Sequence, residues 1–136
     1  CGPEIVPVLK SVLEGSGKIS RVVIISFHFE VTTATKQAMP RVPAFWLKKS
    51  EKDPVSGIYR PHDDGIIKKA KGAGLDGLGV HYGGVSVAFA GGVRQAGLKL
   101  FVWTVDSDDE ARRLKSLRID GLITNRPGWM RTRLGK

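Results

Sequence analysis

Apolar residues along this chain gather in two kinds of segment. Short runs with no regular polar alternation recur at 21–27 (RVVIISF), 42–47 (VPAFWL), 75–81 (LDGLGVH), 99–105 (KLFVWTV) and 120–125 (DGLITN). A strand with one wet face alternates apolar and polar side chains, whereas a strand covered on both faces has little need of polar positions. The stretches between the runs repeat their apolar residues every three or four positions, as helices packed on a sheet do. Strand-like runs separated by helix-like stretches predict at least five β/α units around a parallel sheet.

The helical stretches carry start and stop signals. Ser107 with Glu110 three residues later forms a capping box, opening a helix with Ala111, Leu114 and Leu117 along one side. Gly97 follows the stripe Phe89, Val93 and Ala96 where a helix C-terminal glycine belongs, and Gly72 and Gly74 end the preceding helix in the same way. Pro127 suits the first turn of a last helix running toward Leu134. The stretch after Phe27 is the weakest helix, because Val31, Thr32, Thr33 and Thr35 are poor helix formers, and Gly91 with Gly92 costs a later one about 1 kcal/mol each. Residues 48–61 (KKSEKDPVSGIYRP) are charged and aperiodic, with two prolines and a glycine, and read as an exposed loop inserted after the second strand.

Composition narrows the class. At 136 residues and 41% apolar content the chain holds enough for a packed core. No apolar run reaches the roughly 18–20 residues a bilayer span needs, since the longest mild stretch, at 85–93, is broken by Gly91 and Gly92. The single cysteine, Cys1, rules out an intrachain disulfide and points toward the cytosol. The chain opens on Cys rather than Met, which leaves a leader sequence unaddressed. The net charge of +9 raises the prospect of an anionic partner. Its basic residues, among them Lys68, Lys69, Lys71, Arg112, Arg113, Lys115, Arg131 and Arg133, are dispersed, with no interleaved aromatics to stack on bases. Solvated helix faces account for them, and a nucleic-acid partner is not expected.

The segment at 97–129, GLKLFVWTVDSDDEARRLKSLRIDGLITNRPGW, resembles the C-terminal signature of the glycerophosphodiester phosphodiesterases. A strand ending in Trp-Thr-Val leads to an acidic helix start, and an Asp-Gly-Leu-Ile-Thr-Asn-Arg-Pro ending closes the domain. The runs VVIISF and GLGVHY are similar to two earlier strands of that family, and CGPEIVPVLKSVL to the helix after its Glu-x-Lys strand. The resemblance implies a (β/α)8 TIM barrel of the phosphodiesterase type, of which residues 1–136 form a single partial domain carrying about the last five β/α units. It implies metal-dependent hydrolysis of glycerophosphodiesters to glycerol 3-phosphate and an alcohol, with Mg2+ or Ca2+ as the cation. The related lysophospholipase D and sphingomyelinase D activities use a similar barrel, and a basic, non-enzymatic binding module is the rival outside enzymology. The family's His-Arg pair, Glu-x-Asp metal motif, second histidine and Glu-x-Lys strand would all precede Cys1. This chain is therefore assigned no catalytic and no metal-ligating residue, and its missing N-terminal half is its expected partner.

Barrel enzymes place their sites at the C-terminal ends of the strands. Here those ends carry Phe27, His81, Trp103 with Asp106, and Asn125. The resemblance makes Trp103 a pocket wall and sets Asn125 beside the reacting group. Parity along KLFVWTV leaves open whether Trp103 faces the pocket or the helices. Asp106 reads equally as an orienting group or a turn residue, Asn125 as a site or turn residue, His81 as a site or structural histidine, and Phe27 as pocket wall or core. His62 with Asp63 and Asp64 reads as a helix start rather than a metal cluster, because adjacent side chains do not converge on one ion. Lys48, Lys49, Lys68 and Lys69 read as solvent-facing charges.

Overall fold

The computed structural model describes residues 2–135, so Cys1 and the disulfide reading attached to it lie outside the described residues. Within them α1 (Ile5–Ser16) leads into β1 (Ile24–Ser26), and five strands then alternate with helices: α2 (Phe29–Ala38), β2 (Ala44–Lys48), α3 (Asp64–Gly72), β3 (Gly77–His81), α4 (Val87–Gln95), β4 (Lys99–Trp103), α5 (Asp108–Ser116), β5 (Gly121–Leu122) and α6 (Pro127–Leu134). The strands pair in chain order, all parallel, as an open five-stranded sheet. Sequential parallel order is the wall of a (β/α) barrel, and the five units expected from the apolar runs are those observed.

The helix side of the sheet is the core. Leu78, Val80, Leu100 and Val102 pack there against Ile67, Phe89, Val93, Ala111 and Leu114, all under a tenth exposed. A smaller cluster of Val6, Val31, Met39 and Val42 seats α1 and α2. Helix α2 forms despite its threonines because each hydroxyl finds a carbonyl: Thr32 and Thr33 donate to Phe29 O, and Thr35 donates to Val31 O. Thr32 and Thr35 are thereby fully buried at no unpaired polar cost. Gly92 has a packing reason as well, since a Cβ there would lie 3.1 Å from Ile67 Cδ1 on the neighbouring α3.

An Asp-Gly pair opens both β3 and β5. Asp76 Oδ2 accepts the Ala44 N–H (2.9 Å) and meets Lys36 Nζ (2.8 Å), while Asp120 Oδ2 accepts the Leu100 N–H (2.7 Å). Each carboxylate thus staples its strand start to the preceding strand. The glycines that follow act on the opposite face. Across the sheet, Leu47, Gly79, Phe101 and Gly121 stand in one register row, large and small in alternation. A Cβ at Gly79 would lie 2.5 Å from Leu47 Cδ2, and one at Gly121 would lie 2.5 Å from the Phe101 ring. Phe45, in register with Gly77, meets Phe101 across β3 with ring centroids 4.8 Å apart.

The strands are shorter than the apolar runs. Residues Ile19–Arg21 coil into a 3-10 turn, so β1 begins only at Ile24. The first and last strands have one neighbour each, which limits the ladder. Beyond β5 the Ile123 N–H still donates to Val102 O (2.8 Å), but Thr124 and Asn125 then leave the sheet. The aperiodic stretch after β2 is largely exposed, as expected, and closes on itself as a hairpin: Lys52 bridges Tyr59 antiparallel, and the Asp53 N–H donates to Ile58 O at 2.8 Å. Among the described residues no helix is long and apolar enough to cross a membrane.

Candidate functional site

The C-terminal ends of β1, β3 and β4 bring three of the five expected residues into one cluster. In β4 Leu100 and Val102 are buried on the helix side, which turns Phe101 and Trp103 to the barrel side. The indole lies over the gap left by Gly79 and donates Nε1–H to the Gly79 carbonyl at 2.9 Å. Its edges meet Phe27 (centroids 5.7 Å, interplanar angle 89°) and His81 (5.4 Å, 77°), both the T-shaped geometry aromatic rings favour. Trp103 is half-buried and Phe27 is 47% exposed, so one face of the cluster stays open to solvent.

His81 is oriented by the backbone. Its Nδ1 accepts the Gly83 N–H at 3.2 Å, which fixes the proton of the neutral ring on Nε2 and makes that atom a donor. Three residues not expected from the sequence surround it. Tyr59, reaching over from the hairpin, sits 5.1 Å from the His81 ring, and Tyr82 sits 4.4 Å from it. His62 places Nε2 3.0 Å from the His81 carbonyl, which also accepts Ser50 Oγ at 3.1 Å. The available signal was the pair of bare positions Gly83 and Gly84, where Tyr59 and His62 press on the backbone.

Both histidines titrate below the ordinary histidine range. For His62 the main cause is burial, reinforced by His81 and Lys48 and opposed by its hydrogen bond to the His81 carbonyl. For His81 burial again leads, with Glu110 opposing and Lys52 assisting. A ring that binds its proton more weakly when folded leaves the unfolded chain with more protons in acid. The histidine contribution to stability is therefore full above about pH 6.5 and declines as pH falls from there through the folded values. The denaturation midpoint is expected to drop between pH 7.5 and 5.5 as measured by urea titration. The drop should be smaller in His62→Gln; an unchanged slope in that variant would remove His62 as its source.

Asp106 and Asn125 form a separate latch. Asp106 Oδ1 accepts Thr124 Oγ1 (2.7 Å) and the Asn125 N–H (2.8 Å), and Oδ2 accepts Asn125 Nδ2 (2.9 Å). These bonds, with the Thr124 hydroxyl first, hold the Asp106 carboxyl below the usual carboxylate range. The latch ties the loop after β4 to the loop after β5 and engages both carboxylate oxygens. Asp63 caps α3 by accepting the Gly65 N–H at 2.8 Å, and His62 turns away to Phe89 and His81. Among the described residues no three His, Cys, Asp or Glu side chains converge, so these residues do not fit a divalent cation. Lys48, Lys49 and Lys52 instead lie over the rings of Trp46, Phe27 and Tyr59, at 4.9, 5.4 and 4.8 Å from the centroids.

Comparison with known proteins agrees with the fold. The family model described as the glycerophosphoryl diester phosphodiesterase family matches residues 3–129. No curated protein matches the chain. Among solved structures, a protein described as a glycerophosphoryl diester phosphodiesterase from Silicibacter pomeroyi superposes with a TM-score of 0.81 at 20% identity, over 97% of this chain and 44% of its own. A glycerophosphodiester phosphodiesterase from Parabacteroides distasonis gives 0.80 at 16% identity, over 98% of this chain and 51% of its own. An Oleispira antarctica phosphodiesterase in complex with the product sn-glycerol-3-phosphate gives 0.79 at 14% identity, over 98% and 50%. The chain spans about half the length of each of these structures.

Proposed function

Because the chain belongs to the glycerophosphoryl diester phosphodiesterase family through residues 3–129, we propose that it forms the substrate-side wall of a barrel that hydrolyses glycerophosphodiesters to glycerol 3-phosphate and an alcohol. The observation that carries this reading is Trp103, set between Phe27 and His81 on the barrel side of the strand ends. The Oleispira antarctica neighbour, solved with sn-glycerol-3-phosphate, supports the same product here.

In the reaction a water oxygen bonds to phosphorus, the ester P–O bond to the alcohol breaks, and the departing oxygen takes a proton. Residues of this chain bind and orient. The open face of Trp103 packs on the carbon skeleton of the substrate and keeps water from it, and Phe27 extends that wall. His81, neutral near pH 7 with its proton on Nε2, donates a hydrogen bond to a substrate oxygen. Asp106 and Asn125 are positioning residues, since their polar atoms hold each other and thereby fix the loops on either side of Trp103. The Mg2+ or Ca2+ that the family implies would neutralise charge on the phosphate, and its ligands would come from outside the residues described here.

The test is the full-length protein assayed with glycerophosphocholine and glycerophosphoethanolamine, each with Mg2+ or Ca2+, by coupled detection of glycerol 3-phosphate. Release with either substrate is expected. Failure with every substrate and both cations would sink the reading.

A further inference from the structure

Much of the apolar surface that this chain leaves in water lies where a closed barrel packs further strands and helices. Ile5, Val8 and Val12 on α1 are of this kind, as are Val23 and Ile25 at β1 and Ile123 after β5. Val55, Ile58 and Val87 are not. They are 95%, 70% and 74% exposed, the three most exposed large apolar residues described. All three belong to segments that begin at the C-terminal ends of β2 and β3, strands already flanked on both sides within the sheet. Strands that close the barrel would pair with β1 and β5, away from β2 and β3.

The hairpin that displays Val55 and Ile58 is held in shape. Asp53 Oδ1 accepts the N–H groups of Val55 and Ser56 at 2.9 Å each, and Asp53 Oδ2 meets Arg60 at 3.2 Å. The Gly57 N–H closes the turn on Asp53 O at 2.8 Å, with Gly57 at φ 71°. At its base Tyr59 packs on Gly83, joining the hairpin to the loop that leads into α4 and Val87. An ordered turn that holds two aliphatic side chains in water gains nothing inside the fold, and so points to an external apolar phase.

Charge selects the phase. Lys48, Lys49 and Lys52 surround the base of the hairpin, and among the described residues none of their ammonium groups has a carboxylate within 4.0 Å. Asp53 is already engaged, leaving Glu51 as the carboxylate of the hairpin without an ion pair. An apolar tip with ammonium groups set back from it matches the layering of a phospholipid surface, where phosphates lie above the acyl region. A nucleic acid would use the ammonium groups but not the aliphatic tip. We propose that the 50–60 hairpin, together with Val87, is an interfacial anchor that seats the C-terminal rim of the barrel on a phospholipid surface. The anchoring is independent of the proposed reaction, because it is read with no substrate present.

The test uses the full-length protein, sedimented with vesicles of phosphatidylcholine and phosphatidylglycerol at near-physiological salt, beside its Val55→Asp/Ile58→Asp variant. Both positions are exposed and outside the substrate wall, so circular dichroism and turnover of a water-soluble glycerophosphodiester should be unchanged. Vesicle partitioning of the variant should fall about tenfold or more. A Lys49→Ala/Lys52→Ala variant should lose affinity by a similar factor, at roughly fivefold per lysine. Equal sedimentation of parent and Val55→Asp/Ile58→Asp protein would overturn the proposal, as would failure of the parent to sediment. It would also be overturned if the substitutions abolished self-association or RNA binding and left vesicle binding intact.

Discussion

The 136-residue chain expressed alone is expected to release no glycerol 3-phosphate above the buffer rate, with or without Mg2+ or Ca2+. Uncatalysed phosphodiester hydrolysis is so slow that enzymes supply accelerations of at least about 10^6, and most of that comes from charge neutralisation and proton transfer. The described residues offer no convergent set of oxygen ligands for a hard cation. Asp106, in the loop after Trp103, has both oxygens occupied by Thr124 and Asn125. Among the described residues the outer edges of β1 and β5 have no partner, and Val8, Val12 and Ile25 are more than half exposed. Supplying in trans the β/α units of the proposed complete barrel should therefore give turnover and raise the denaturation midpoint together, because one docking event would cover those edges and complete the proposed site. Glycerol 3-phosphate release by the isolated chain at a rate well above buffer would show that its chemistry is held by residues placed here in binding or structure.

The sheet was legible because buried parallel strands announce themselves as apolar runs, and the helices because Ser107, Gly97 and Pro127 sit where caps and first turns require them. The strand lengths were not, since hydrophobicity records burial whereas pairing needs a neighbour, and β1 and β5 have one each. The direction of Trp103 was hidden for a related reason. KLFVWTV is apolar on both faces, and the deciding information lies on other strands, in Gly79 and Gly121, whose missing side chains open room only on the barrel side. Tyr59 carries no local signal, because it reaches His81 from 22 residues away through a hairpin with no periodicity. The pairing of Asp106 with Asn125 was equally long-range: each looks like a turn residue until the two loops are seen side by side.

If the proposed reaction is this protein's, replacing Trp103 with Ala in the full-length protein is expected to lower kcat/KM about a hundredfold, the scale on which loosened substrate placement acts. Some stability should be lost too. The indole donates to Gly79 O and meets two rings edge-on, and such contacts contribute roughly 0.5–1.5 kcal/mol each. Stability alone therefore does not separate a wall from a core residue, and a control on the other face of the sheet does. Leu78 is fully buried among the helix-side residues, and Leu78→Ala should cost about 2–5 kcal/mol with kcat/KM near normal at a temperature where the protein stays folded. Trp103→Phe keeps a ring against Phe27 and His81 and loses only the donor to Gly79, so it should recover most of the rate. The three variants give a pattern rather than a single number. Rate should follow the ring at position 103, and stability should follow burial at position 78. If Trp103→Ala matched Leu78→Ala, with a large stability loss and near-normal kcat/KM, Trp103 would belong to the packing of the sheet, and the substrate wall would have to be sought at His81 and Phe27 without it.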